Sequence, residues 1–195
     1  MTAIEDVLRF IVEIEKLKDV HRKTKPVGLA RFENAAEHSW HVCLSALMLK
    51  DFANEPVNID RVIRMLLIHD LGEIDVGDTI VYASETEPLK AAEADGVARI
   101  LSILPDGKGD DFVALWHEFE AGETPDARYA KAIDRVPPLL QNLQRKGHSW
   151  RAHEVTPDQV LSLNARIEQG STELWQVLRK QLADAFEQGI LTEEN

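Results

Sequence analysis

Apolar side chains recur along most of this chain at intervals of three and four residues, the spacing that lines one face of an α-helix. Ile4, Val7, Leu8, Ile11 and Ile14 make the first such stripe. Thr2-x-x-Glu5 opens it with capping-box spacing, which predicts a helix ending near Lys18. Residues 19–34 hold Pro26 and Gly28 and read as a loop. A second helix is expected over 35–52. A third starts near Ile59 with Val62, Ile63, Leu66 and Leu67 as its buried stripe, and reaches His69-Asp70 near its end.

Residues 74–87 lack periodicity, and Gly77-Asp78 suggests a turn. Pro88 opens a helix running to Leu104, followed by the break Pro105-Asp106-Gly107-Lys108-Gly109. Helices over 110–121 and 126–145 come next, and Pro137-Pro138 should kink or divide the second. Thr156-Pro157-Asp158-Gln159 marks a further helix start, and a last helix covers 172–188 with Gly189 as its stop. Alternating strand patterns, internal repeats and low-complexity segments are lacking. The expectation is an all-α fold of about seven or eight helices. A single domain should span 1–195, with 172–188 as its C-terminal extension.

Composition fits this picture and narrows the chemistry. The chain has 195 residues, enough for one sizeable core. Its 22 basic and 34 acidic side chains leave a net charge of −12, which repels nucleic-acid polymers and anionic membranes. A small anionic substrate then needs a local source of positive charge, which a divalent metal supplies. The single cysteine, Cys43, excludes an intrachain disulfide framework and suits a reducing compartment. The acidic start MTAIEDVLRF lacks signal-peptide order, and no apolar run approaches the roughly 20 residues that span a bilayer. A cytoplasmic protein is expected.

Four short segments carry candidate chemistry: Glu37-His38, His69-Asp70, Glu73 with Asp78, and Asp134. Imidazole nitrogens and carboxylate oxygens are the usual ligands of a borderline or hard divalent ion. Adjacent helical side chains diverge by about 100°, so His69 and Asp70 can share an ion only near a helix end. Taken alone, a His-Asp pair on an apolar helix is more often a hydrogen-bonded core histidine.

The whole set, however, resembles the signature of HD-domain hydrolases. The resemblance rests on Glu-His-Ser-Trp-His at 37–41, His69-Asp70-Leu71-Gly72-Glu73, Val76-Gly77-Asp78, and Ala132-Ile133-Asp134-Arg135. Within that family the chain looks most like the bacterial 5'-deoxynucleotidases and their eukaryotic relatives. The resemblance implies that His38, His69, Asp70 and Asp134 hold one divalent metal and that Glu73 and Asp78 serve catalysis. It also implies that Arg22 seats the phosphate, with Lys23 standing where the bacterial enzymes carry a bulky aromatic residue. Manganese, cobalt, iron, nickel or zinc suits two nitrogens and two carboxylates, and magnesium suits them less.

The expected activity is hydrolysis of a phosphate monoester, a (deoxy)nucleoside 5'-monophosphate first among them. Two alternatives stand beside it: another nucleotide or non-nucleotide phosphate, and a metal-stabilised binding module without turnover. A homodimer is implied by resemblance alone. His38 and His41 are three residues apart with Glu37 outside them, which is not the zincin arrangement. His41 is expected to be structural. Between Asp70 and Asp134 only His117 could add a ligand, too few for a second metal. His21, His148 and His153 are placed in loops. Neither a Gly-rich phosphate cradle nor a nucleophile elbow is present, and Cys43 reads as core packing.

Overall fold

The computed structural model describes residues 2–80, 82 and 86–191. Among them the regular structure is helical, and the sole β-type pairing is an isolated bridge between His21 and Asn34. The expected all-α class is what forms. The part of the 74–87 stretch at 81 and 83–85 lies outside the described residues.

Helix α1 (Ala3–Ile14) carries the capping box foreseen between Thr2 and Glu5 and runs into a 3-10 turn over Glu15–Asp19. Its apolar stripe is not a buried one: Ile4, Leu8 and Ile11 are at least half exposed, while Phe10 and Ile14 touch the core. The following loop folds back on itself, Arg22 N donating to Glu33 O (2.8 Å) and Ala35 N to Val20 O (2.9 Å). Helix α2 (Ala35–Leu49) starts at Asn34, which forms a capping box with Glu37. Its buried face carries Ala35, Val42, Cys43 and Ala46, and with them the polar His38 and Ser39.

Helix α3 (Ile59–Ile68) buries Val62, Met65, Leu66 and Ile68. Leu67, expected in that stripe, is 51% exposed, because five residues of rotation from Val62 carry it about 140° round the axis. The short α4 (Glu73–Val76) ends at Gly77, whose φ of +79° is closed to most side chains and turns the chain toward Asp78. Helices α5 (Glu87–Leu101) and α6 (Lys108–Ala121) follow, with a 3-10 turn over Pro105–Gly107 between them.

The expected helix over 126–145 divides into α7 (Pro125–Asp134) and α8 (Val136–Gln144). Pro137 and Pro138 have no N–H to give to the carbonyls of Ile133 and Asp134, so the ladder fails there and Asp134 becomes a helix end. Residues His148–Ala152, placed in a loop from sequence, form the short α9, with His148 at its start and His153 as its C-cap. Helix α10 (Pro157–Asn164) has the foreseen capping box of Thr156 and Gln159. Helix α11 (Thr172–Glu187) is followed by Gly189 at φ +79°. The division of 126–145, together with α4 and α9, accounts for the difference from the seven or eight helices expected.

Two apolar clusters hold these helices. The first joins α2, α3, α5, α6 and α7 through Val42, Met65, Leu66, Ile100, Leu115 and Ile133. The second joins α7 to α11 through Ala132, Leu139, Trp150, Ile167, Trp175 and Leu182. Asn54 staples them: its side chain donates to Glu168 O (2.7 Å) and accepts from Thr172 N (2.8 Å).

Gly72 lies where the His69-Asp70 turn passes α5. A Cβ there would sit 2.5 Å from the backbone oxygen of Glu93, which cannot swing aside. Gly72→Ala is expected to cost about 1–3 kcal/mol, as overpacking does. Urea unfolding checks this, through a lower midpoint at unchanged m-value.

Candidate metal and phosphate site

Three helix segments bring the candidate residues together. His38 projects from the first turns of α2 and is wholly buried; His69 and Asp70 follow the last residue of α3; Asp134 ends α7. His38, His69 and Asp134 each offer one donor atom, all within 4.8 Å of one another. Asp134 Oδ1 is the meeting point, 2.8 Å from His38 Nε2 and 3.3 Å from His69 Nε2. Asp70 joins through His69, its Oδ1 lying 3.0 Å from His69 Nε2.

The His69 tautomer suits a cation. His69 Nδ1 donates to the carbonyl of Leu66 at 2.8 Å, so the neutral ring turns the lone pair of Nε2 toward the two aspartates. That nitrogen is buried and, among the described residues, makes no hydrogen bond. A lone pair facing carboxylate oxygens is repelled unless positive charge stands between them. The same field acts on the ring's own proton. Burial disfavours the imidazolium, yet Asp70 and Asp134 outweigh it and push the His69 pKa up to about 9. Burial likewise opposes the Asp134 carboxylate, but the hydrogen bond with His38 and the nearby His69 imidazole hold its pKa well below the ordinary value. The donor set and its charge therefore fit a divalent ion. Trp116 Nε1 fixes the turn from outside by donating to His69 O (3.0 Å).

Arg22 reaches the site from the loop before α2. Its Nη1 donates to Asp70 Oδ2 at 2.8 Å and lies 3.7 Å from Asp78 Oδ1. Glu73 and Asp78 stand on the same side. Burial, then the neighbouring charge of Asp70, lifts the Glu73 pKa to about 9, and burial raises that of Asp78 as well. All seven residues singled out from sequence thus share one neighbourhood. His41 and His117 do not join it: each packs beside a tryptophan, Trp40 and Trp116 respectively.

Sequence reasoning missed Glu33. This glutamate is 2% exposed, places Oε2 at 3.6 Å from His38 Nδ1, and accepts from Gln141 Nε2 at 2.7 Å. A buried carboxylate thus stands behind the His38 ring, on the side away from Asp134. The available signal was a charged residue immediately before the N-cap Asn34, where solvent exposure is the usual expectation.

The cluster opens into a cavity of about 540 Å³ that also reaches Tyr82, Asn142 and Asn164. Seven Lys or Arg and six Asp or Glu line it, against 22 and 34 in the whole chain. The cavity is thus richer in positive charge than the rest of the molecule, and it suits an anion.

A helical fold that gathers one histidine, a His-Asp pair and a late aspartate is of the HD type. A sequence profile of the HD domain family matches residues 14–175, and the chain belongs to that family. It is 42% identical to a predicted metal-dependent phosphohydrolase from Magnetospirillum magnetotacticum of known crystal structure. That match has a TM-score of 0.92 and covers 97% of this chain and 95% of the other. It is 27% identical over 140 residues to the 5'-deoxynucleotidase HDDC2 of Danio rerio, covering 71% of this chain and 68% of that protein. The human 5'-deoxynucleotidase HDDC2 is 28% identical over 138 residues, with 69% and 66% covered. The chain therefore spans about two thirds of the length of these two relatives.

Gln141 reaches the site through its hydrogen bond to Glu33, so it probes the supporting layer. Gln141→Leu leaves the buried Glu33 Oε1 without its donor, and a stability loss of about 1–3 kcal/mol is expected in thermal or urea unfolding.

Proposed function

We propose that this protein is a metal-dependent phosphohydrolase that converts a (deoxy)nucleoside 5'-monophosphate to nucleoside and phosphate. His38, His69, Asp70 and Asp134 would hold one divalent ion; manganese, cobalt, iron, nickel or zinc suits these donors better than magnesium. The observation that carries the reading is the pair of imidazole nitrogens facing a shared Asp134 oxygen at the wall of a cation-lined cavity. Its direction toward nucleotides comes from the 5'-deoxynucleotidase relatives.

A bound divalent ion supplies positive charge to a phosphoryl oxygen and acidifies water. The chain's own groups do the rest. Arg22, poised between Asp70 and Asp78, is within reach of a phosphoryl oxygen and offers the planar donor pair that phosphate accepts. Glu73 orients or deprotonates the attacking water. Asp78 serves the leaving 5' oxygen, or exchanges roles with Glu73; burial pushes the pKa of both carboxyls up, that of Glu73 to about 9. Catalysis would come from positioning and electrostatics without a covalent intermediate.

A second reading keeps the reaction and changes the substrate to a more highly phosphorylated nucleotide or another small phosphate ester. The support is that Lys23 and Arg166 line the cavity together with Arg22.

We also place residues 1–195 in one functional unit, because the cavity draws walls from both apolar clusters. The unit would work as a cytoplasmic homodimer. Trp40, Leu44, Leu47 and Met48 leave a large apolar strip exposed on α2, of the kind that oligomer interfaces cover. Sedimentation at micromolar concentration tests the dimer, and a monomer there removes it.

A panel of deoxy- and ribonucleoside monophosphates, offered to metal-loaded protein with phosphate release as the readout, tests the activity. Release from none of them rejects the substrate class. Glu73→Ala is expected to slow turnover by about 10²–10⁴-fold with metal content unchanged. Asp134→Ala should lose the metal itself, read by elemental analysis. Equal phosphate release by wild type and Glu73→Ala would point to a binding module without turnover.

A further inference from the structure

Tyr82 lines the same cavity, on the wall built by the second apolar cluster. Among the described residues, its hydroxyl oxygen has two neighbours within hydrogen-bond distance: Trp150 Nε1 at 3.0 Å and Asn164 Nδ2 at 3.3 Å. Both are donors only. An indole nitrogen has one N–H and no available lone pair. The amide of Asn164 is oriented by its second contact, with the backbone oxygen of Val160 at 2.8 Å, which can only accept, so the atom facing Tyr82 is the NH₂ group. The Tyr82 oxygen therefore accepts twice, which occupies both of its acceptor positions. Its own proton can go to neither neighbour.

The wall behind it is buried and hydrogen-bonded. Asn142 Oδ1 accepts from Ser149 N (2.9 Å) and Trp150 N (3.4 Å), fixing the start of α9, while the Trp150 side chain is 1% exposed. Burial raises the phenol pKa above its usual value, so the hydroxyl keeps its proton. We propose that Tyr82 is a specificity-determining residue whose hydroxyl donates into the cavity to an acceptor on the organic moiety of the substrate, a sugar oxygen or a base carbonyl or ring nitrogen. The organic part is favoured over the phosphate because Arg22 and the His-Asp cluster already supply the phosphate end. The inference rests on the phosphohydrolase reading above and deepens it.

The chain has two tyrosines, which makes a direct test possible. Tyr129 is buried and donates to the carbonyl of Ala46 at 2.9 Å, so it serves as an internal control. In metal-loaded, full-length protein carrying 3-fluorotyrosine, a non-hydrolysable deoxynucleoside phosphonate should shift the Tyr82 fluorine resonance and leave that of Tyr129 in place. Inorganic phosphate alone should move neither. Tyr82→Phe should lower the ratio of kcat/KM for a nucleotide to that for methyl phosphate by roughly 3- to 10-fold, the loss of one hydrogen bond. Taking the ratio removes any general loss of folded enzyme. A phosphonate that binds by calorimetry without moving the Tyr82 signal overturns the inference and spares the phosphohydrolase reading. So does phosphate alone moving that signal as far as the phosphonate does. Failure of the phosphonate to bind, with no nucleotide turned over, removes both.

Discussion

One carboxylate oxygen ties three distant stretches of chain together. Asp134 Oδ1 touches the buried imidazoles of His38 and His69, and through His69 it reaches Asp70. Burying such a group is expensive unless the charges compensate one another, so α2, α3 and α7 must arrive in one relative placement. The proline pair after Asp134 makes this workable, since it ends α7 where the aspartate is needed and lets α8 leave in a new direction. Gly72 and Gly77 do the equivalent for the other half, carrying the chain tightly past α5 and round to Asp78.

Around this centre the electrostatics are layered. Glu33, backed by Gln141 from α8, stands behind His38; the Leu66 carbonyl stands behind His69; Arg22 stands in front of Asp70. His69 is thus held by a group behind it, whereas Asp70 is held by Arg22 within the cavity wall itself. A strongly acidic protein can in this way present a cavity suited to an anion, because most of its negative charge lies elsewhere on the surface.

Much of this was legible in the sequence. Helical periodicity and caps at Thr2, Thr156 and the Pro137-Pro138 break located most elements within a few residues, since those signals are local. The seven candidate residues were named because short motifs carry their chemistry, and the fold gathers them. What periodicity could not reveal was which apolar face finds a partner. The stripe of α1 is helical yet largely exposed, and Leu67 lies off the buried face that Met65 and Ile68 occupy. Glu33 and Tyr82 escaped notice for a related reason. Their importance arises from neighbours more than sixty residues away, Gln141 in one case and Trp150 with Asn164 in the other.

The placement of the acidic pair at helix ends has an effect separate from their side chains. His69 and Asp70 follow the final turn of α3, and Asp134 closes α7, so these side chains all sit at helix C-terminal ends. Each tail carries a partial negative charge of about half a unit. The backbone therefore adds its own pull on a positive guest, one that side-chain replacement leaves largely intact. The chain itself, and not only the residues that evolution can swap, makes this corner of the molecule hospitable to cations.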